Sequence, residues 1–161
     1  MREQDCIALL RRAGCSEGVI AHCRAVRDLA LDFTSDPIVD RDLVEVGALL
    51  HDIGRGVTHD LHHAQVGGEI CRSLGLDEAV ASIVERHIGA GLTADECSLL
   101  GLAPRDCVPR TIEEKIVAHA DNLVKGGRVI TLEERLARLI DLPRKQRMRI
   151  YRLALEVELF R

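Results

Sequence analysis

Residues 40–55 read DRDLVEVGALLHDIGR. Val44, Gly47, Ala48 and His51 recur at helical spacing, so one face of a helix from about Asp40 to Ile53 turns inward. Gly54 closes that helix from the position past its end that glycine favours. Consecutive helical residues point about 100° apart, so His51 and Asp52 can share a site only beside an opening or a helix end. Gly54 puts the pair in the last turn, where this is allowed. A histidine and an aspartate sent inward together need a partner, because burying either without one is costly.

Outward from this stretch the same period governs nearly the whole chain. Helices are expected over about Glu3–Ala13, from Ser16 past Leu29, over about His62–Leu74, and over Asp77–Ile88. Three Thr-x-x-Glu capping boxes, Thr93/Glu96, Thr111/Glu114 and Thr131/Glu134, open further helices. The second of these runs to about Lys125 and the third to Leu142. Pro143 starts a last helix, and a short extended piece is expected at Val129–Ile130. No run of strand alternation is present, so the fold class is all-α, one compact bundle of about eight or nine helices.

Composition sets limits. The chain has 161 residues, 47% hydrophobic and 30% charged, which suits one globular domain rather than a disordered chain. Aromatics are 2%, namely Phe33, Tyr151 and Phe160. The core is therefore aliphatic, and rows of stacking aromatics for single-stranded nucleic acid are absent. A net charge of −4 argues against a general nucleic-acid or anionic-membrane binder. Residues 128–161 carry an excess of Lys and Arg interleaved with Leu, Ile and Val, which reads as a solvated helix face. Six cysteines without a C-x-x-C, a start (MREQDCIALLRR) unlike a signal peptide, and no long apolar run together imply a reducing, cytoplasmic setting.

Four further polar residues lie on apolar stripes: His22 with Val19, Val26 and Leu29; His63 with Val66, Gly67 and Ile70; His87 with Val80, Ile83 and Val84; Asp121 with Val117 and Val124. Taken singly, each histidine is a satisfied core residue. Together with His51 they occupy inward slots on five helices of one small core, and a divalent metal is the shared explanation. Imidazoles and carboxylates together suit Zn, Fe, Mn, Co or Ni.

These residues carry a family resemblance. His22, His51-Asp52 and Asp121 resemble the H…HD…D pattern of the HD-domain metal phosphohydrolases, and His51-Asp52-Ile53-Gly54 resembles their H-D-I-G variant. His63-Ala64-Gln65-Val66-Gly67-Gly68-Glu69 is similar to the H-A-x-x-G-A-E helix of the two-metal branch. Val84-Glu85-Arg86-His87 resembles the element that follows, with one histidine where the family often has two. Lys115 through Asp121 resembles the late helix that supplies the last ligand. The likeness covers about residues 16–125. Helices in 131–161 pack on this core or on a second copy of the chain as a homodimer.

The resemblance implies a helical bundle in which His22, His51, Asp52 and Asp121 hold a first divalent metal. Asp52 would bridge to a second, bound by His63 and His87. It implies a phosphohydrolase acting on a small phosphorylated substrate, a nucleotide or other ester, with no membrane or stable nucleic-acid partner. Around the motif, Arg55 and Lys125 are candidate phosphate clamps. His59 or His62 is a candidate proton donor, since an imidazole titrates near neutral pH. His119, about 200° around the helix from Asp121, is expected in solvent or behind the ligands. Two other readings fit the same residues: a di-iron oxygenase, and a non-catalytic metal- and nucleotide-binding module.

Overall fold

The computed structural model describes all residues 1–161. It has nine helices: α1 (Glu3–Arg12), α2 (Glu17–Leu31), α3 (Arg41–Leu50), α4 (His63–Ser73), α5 (Glu78–Arg86), α6 (Ala94–Leu99), α7 (Ile112–Leu123), α8 (Leu132–Arg138) and α9 (Arg144–Glu158). A 3₁₀ turn covers Ile53–Gly56. The only paired strands, β1 (Val124–Lys125) and β2 (Arg128–Val129), form a tight antiparallel hairpin, one residue earlier than the extended piece expected. No helix is long and apolar enough to cross a membrane.

Helices α2, α3 and α5 are shared between two apolar cores. One core joins Val26, Leu29 and Ala30 of α2 to Ile116, Val117 and Ala120 of α7, closed by Ile150, Leu153 and Val157 of α9. The other joins Cys6, Ile7 and Leu10 of α1 to Ile20, Leu49, Leu50, Cys71 and Val84. Helix α9 thus packs on α7 of its own chain. The histidine-bearing ends of α3 and α5 lie between the two cores, which is how a short chain brings polar groups to its centre.

Local signals explain the boundaries. Ser16, Asp40, Asp77, Thr93, Thr111 and Thr131 each cap a helix through a side-chain oxygen that accepts a backbone N–H. The box at Thr111 is one-armed, contrary to expectation. The Glu114 carboxylate binds Arg86 Nη1 at 2.8 Å and the Arg110 amide at 2.6 Å instead of returning to Thr111. A charged partner is the stronger attraction.

Gly54 also departs from its expected role. Helix α3 ends at Leu50, and Gly54 lies within the 3₁₀ turn, where its φ is not positive. What demands glycine is contact: a Cβ there would overlap the carbonyl oxygen of His63 at the start of α4. The turn after His51-Asp52 is therefore pressed directly onto the helix that carries His63.

Candidate metal centre

Six residues converge between the two cores. His22 comes from the middle of α2, His51 and Asp52 from the end of α3, and His63 from the start of α4. His87 caps α5, and Asp121 lies in the last turn of α7. His51, Asp52, His63 and His87 are buried, whereas His22 and Asp121 are partly open to solvent.

Asp52 organises the group, with each oxygen facing a different set. Its Oδ2 is 3.8 Å from His22 Nε2 and 3.6 Å from His51 Nε2. Both of those nitrogens also approach Asp121 Oδ1, at 3.0 and 3.6 Å. Its Oδ1 is 3.2 Å from His63 Nε2 and 3.5 Å from His87 Nε2. His51 Nε2 and Asp52 Oδ1 are nevertheless buried without a hydrogen-bond partner, so these approaches are close but misaligned. Convergent donor atoms left unsatisfied in a buried site are what a cation would complete.

The rings are aimed by the main chain. Nδ1 of His51 donates to the Ala48 carbonyl at 2.8 Å, Nδ1 of His63 to Asp60 at 2.6 Å, and Nδ1 of His87 to Val84 at 2.7 Å. In each case the acceptor is three residues back. With the proton committed there, Nε2 presents its lone pair inward, the tautomer a metal ligand needs.

The electrostatics agree. Burial pushes the Asp52 carboxyl up, but His51, His63 and His87 outweigh it and hold it well below the usual carboxylate range. Burial likewise opposes, and His22 and His51 overcome, the ionisation of Asp121. Burial pulls His87 down toward the neutral form. At His51 burial is overcome by the charge of Asp52, which draws positive charge to the site, a role a bound cation fills directly. The donor set therefore fits divalent metals: two carboxylates and four imidazoles, with Asp52 placed to serve both halves.

An open cavity of about 450 Å³ lies over the His22 side, walled by Asp52, Asp121, Arg55, His59 and Lys125. Arg55 Nε sits 2.8 Å from Asp52 Oδ2, and Arg55 Nη1 holds the His59 carbonyl at 3.2 Å. Burial lowers the pKa of Lys125 while Asp121 opposes it. His62 is placed elsewhere. Its ring binds Asp60 Oδ1 at 3.0 Å and the Gly101 carbonyl at 3.2 Å, and it does not line this cavity. His119 is neither solvated nor behind the ligands. It is 1% exposed, with Nε2 3.2 Å from Glu158 Oε1 and its ring edge-on to Phe33. The phasing that took it off the metal face holds, but α9 covers it.

Two residues next to the centre were not singled out from sequence. Asn122, directly after Asp121, donates to the Gly89 carbonyl at 2.8 Å and accepts from Arg135 Nη2 at 3.1 Å. Asn122 could have been found from its place beside a ligand. Arg135 could not, because only the fold brings α8 to this spot.

A model of the HD domain matches residues 19–126, two thirds of the chain. The chain belongs to the HD-domain family. Among its relatives, an uncharacterized protein of Methanocaldococcus jannaschii is 47% identical over 139 residues, covering 83% of this chain and 82% of that one. A tRNA (cytidine(56)-2′-O)-methyltransferase of Thermoplasma volcanium is 48% identical over 132 residues, covering 82% of this HD-domain chain but 39% of the methyltransferase. Ribonuclease Y of Acidothermus cellulolyticus is 31% identical over 119 residues, 73% of this chain and 21% of the relative. The chain thus spans well under half of these two longer proteins. In structure, the HD domain of the L. monocytogenes phosphodiesterase PgpH bound to cyclic-di-AMP superposes with a TM-score of 0.58 at 17% identity. That match covers 95% of this chain and 97% of the other, a likeness of fold.

Proposed function

We propose that this HD-domain protein is a metal-dependent phosphohydrolase for a nucleotide or other small phosphate ester. The observation that carries the reading is the division of Asp52, one oxygen toward His22, His51 and Asp121 and the other toward His63 and His87. With Asp52 so placed, His22, His51 and Asp121 would hold one divalent cation with it and His63 and His87 a second. Such a pair would supply Lewis-acid activation of water and offset negative charge developing on the phosphoryl oxygens. Two of the similar proteins carry names of phosphodiester chemistry, a ribonuclease and a phosphodiesterase seen with a cyclic dinucleotide, whereas a third is a tRNA methyltransferase.

The chain's own residues supply the rest. In this reading Arg55 turns its planar donor fork from Asp52 to a phosphate oxygen entering the open cavity. Lys125, which lines the same cavity, adds a second positive charge without geometric demand. His59 lies at the rim with its ring available to protonate a leaving oxygen, whereas His62 is held by Asp60 and Gly101. The open side at His22 and Asp121 is the route by which water and ester enter.

The test is elemental analysis of protein purified without chelator, joined to an assay with bis-p-nitrophenyl phosphate. Wild type is expected to hold transition metal and to turn the ester over; Asp52→Asn is expected to lose both while keeping its helical content. Metal-loaded wild type that consumes oxygen without releasing nitrophenol would favour oxygenase chemistry. Protein that takes up no iron, manganese or zinc would overturn the proposal.

A further inference from the structure

A second cavity, of about 320 Å³, is enclosed by α8, α9 and residues 88–92. It has no lining residue in common with the open cavity over His22 and Asp121, and none of the six residues of the metal centre lines it. It is a separate compartment, with a volume in the range of roughly 300–1,000 Å³ typical of small-molecule sites. Its walls are aliphatic, chiefly Ile88, Leu92, Leu142 and Ile150. No aromatic ring and no carboxylate lines it, and its only polar side chains are Arg135 and Gln146. Leu61 and Leu100 line it as well, although they are 40% and 45% exposed. Leucines left in water beside an apolar hollow are surface that a bound molecule would cover.

Arg135 is the unusual member. Its guanidinium is partly buried, makes no ion pair with a carboxylate, and is held only by the Asn122 side chain, 3.1 Å from Nη2. Its Nε is buried with no partner at all. Two other part-buried arginines nearby are neutralised: Arg86 by Glu114 and Arg149 by Glu96. Burial depresses the pKa of Arg135 against the weaker pull of Asp121, so the site is short of negative charge. A cation with unused donors on an apolar wall is costly unless something completes it. Gln146 adds an amide donor on the same lining.

We propose that this cavity is a binding site for an aliphatic monocarboxylate, whose carboxylate pairs with Arg135 and whose tail fills the Leu and Ile walls. The site is independent of the metal centre and does not rest on the phosphohydrolase reading. A carboxylate matches the planar donor fork of a guanidinium and supplies the one negative charge that Arg135 lacks. A saturated tail matches walls made of branched aliphatic side chains. Other ligands fit less well. A phosphate monoester carries nearly two charges and would meet a single cation. A planar aromatic ligand would find no ring to stack on, and a neutral hydrocarbon would leave Arg135 as it is.

The experiment is calorimetric titration of the purified full chain with acetate, butanoate and hexanoate, and with 1-hexanol as the uncharged counterpart. Affinity in wild type is expected to rise about fourfold with each added methylene. Hexanoate is expected to bind about tenfold or more tighter than 1-hexanol. Arg135→Met is expected to erase that advantage while 1-hexanol still binds. Leu142→Trp, which keeps the guanidinium and fills the slot, is expected to weaken both ligands. Carboxylate binding that does not grow with the tail would locate it at the metal centre and overturn the inference. Failure of hexanoate to bind would overturn it too, as would a hexanoate affinity unchanged in Leu142→Trp. If Arg135→Met folds poorly by its melting curve, the tail series in wild type and Leu142→Trp decides the matter.

Discussion

The Nε2 atoms of His63 and His87 face each other 3.2 Å apart, while the Nδ1 atom of each ring is engaged with a backbone carbonyl. Two rings fixed in this way turn their Nε2 atoms toward one another and toward Asp52 Oδ1. His63, His87 and Asp52 would together hold a divalent cation, which would satisfy all three groups. Wild type is therefore expected to bind two metal ions per chain, and His63→Ala or His87→Ala one, by elemental analysis after desalting. Chelation should lower thermal stability in wild type, by about 4 kcal/mol where free metal stood near a thousand times its Kd. An unchanged melting temperature on chelation would count against the second site.

His119 should behave as a structural residue. It is sealed under α9 against Phe33 and Glu158, on the opposite side of α7 from the ligands. His119→Ala is expected to leave metal content at the wild-type value and to cost about 1–3 kcal/mol in urea denaturation. Loss of metal would show that α7 is turned differently.

The pair Arg149–Glu96, 2.6 Å apart, ties α9 to the start of α6, and Arg149 also donates to the Gly91 carbonyl at 2.9 Å. Burial raises the Glu96 carboxyl, but Arg149 and the Thr93 amide outweigh it, so its pKa in the folded chain is lowered. A lowered carboxyl adds stability above its unfolded pKa of about 4.3, and that part is lost as pH falls through the folded value. Arg149→Met is expected to cost about 1–3 kcal/mol at pH 7. The difference from wild type should shrink below about pH 4.3 when melting curves are compared across pH.

All six cysteines are free and buried. Burial pushes the thiols of Cys6, Cys15, Cys71 and Cys107 up to about 11. At pH 8 only about a thousandth of such a thiol is the reactive thiolate. The native protein is expected to resist iodoacetamide over hours and to take up six equivalents once unfolded in guanidinium. Fast labelling of the native chain would mean that one of the cores opens readily.

Much of this structure could be read from the chain because helical periodicity and capping are local. The apolar stripes of α2, α3, α4, α5 and α7 pointed His22, His51, His63, His87 and Asp121 inward before any contact was known, and the fold brings all five together around Asp52. Contacts made at a distance were not legible in this way. Glycine at 54 reads locally as a helix stop, yet the demand on it comes from the His63 carbonyl. Thr111 and Glu114 have the spacing of a reciprocal cap, but Arg86, on another helix, claims the carboxylate. His62 and His59 looked equivalent in the loop, and contacts with Asp60 and the distant Gly101 separate them. Arg135 belongs to a stretch whose charges read as solvated, and its placement depends on how α8 and α9 close over Asn122.

The hydrogen bonds from His51, His63 and His87 to carbonyls three residues behind them have a consequence for how this protein can change. Many metal-binding histidines are steadied by neighbouring side chains, and a mutation in such a neighbour detunes the metal. Here the steadying atoms belong to the peptide backbone, which every residue type carries alike. The side chains around the three rings are thus free to drift, and with them the shape of the approaches on either side, while the aim of the ligands stays fixed. Such a centre can serve new substrates without having to rebuild its grip on the metal.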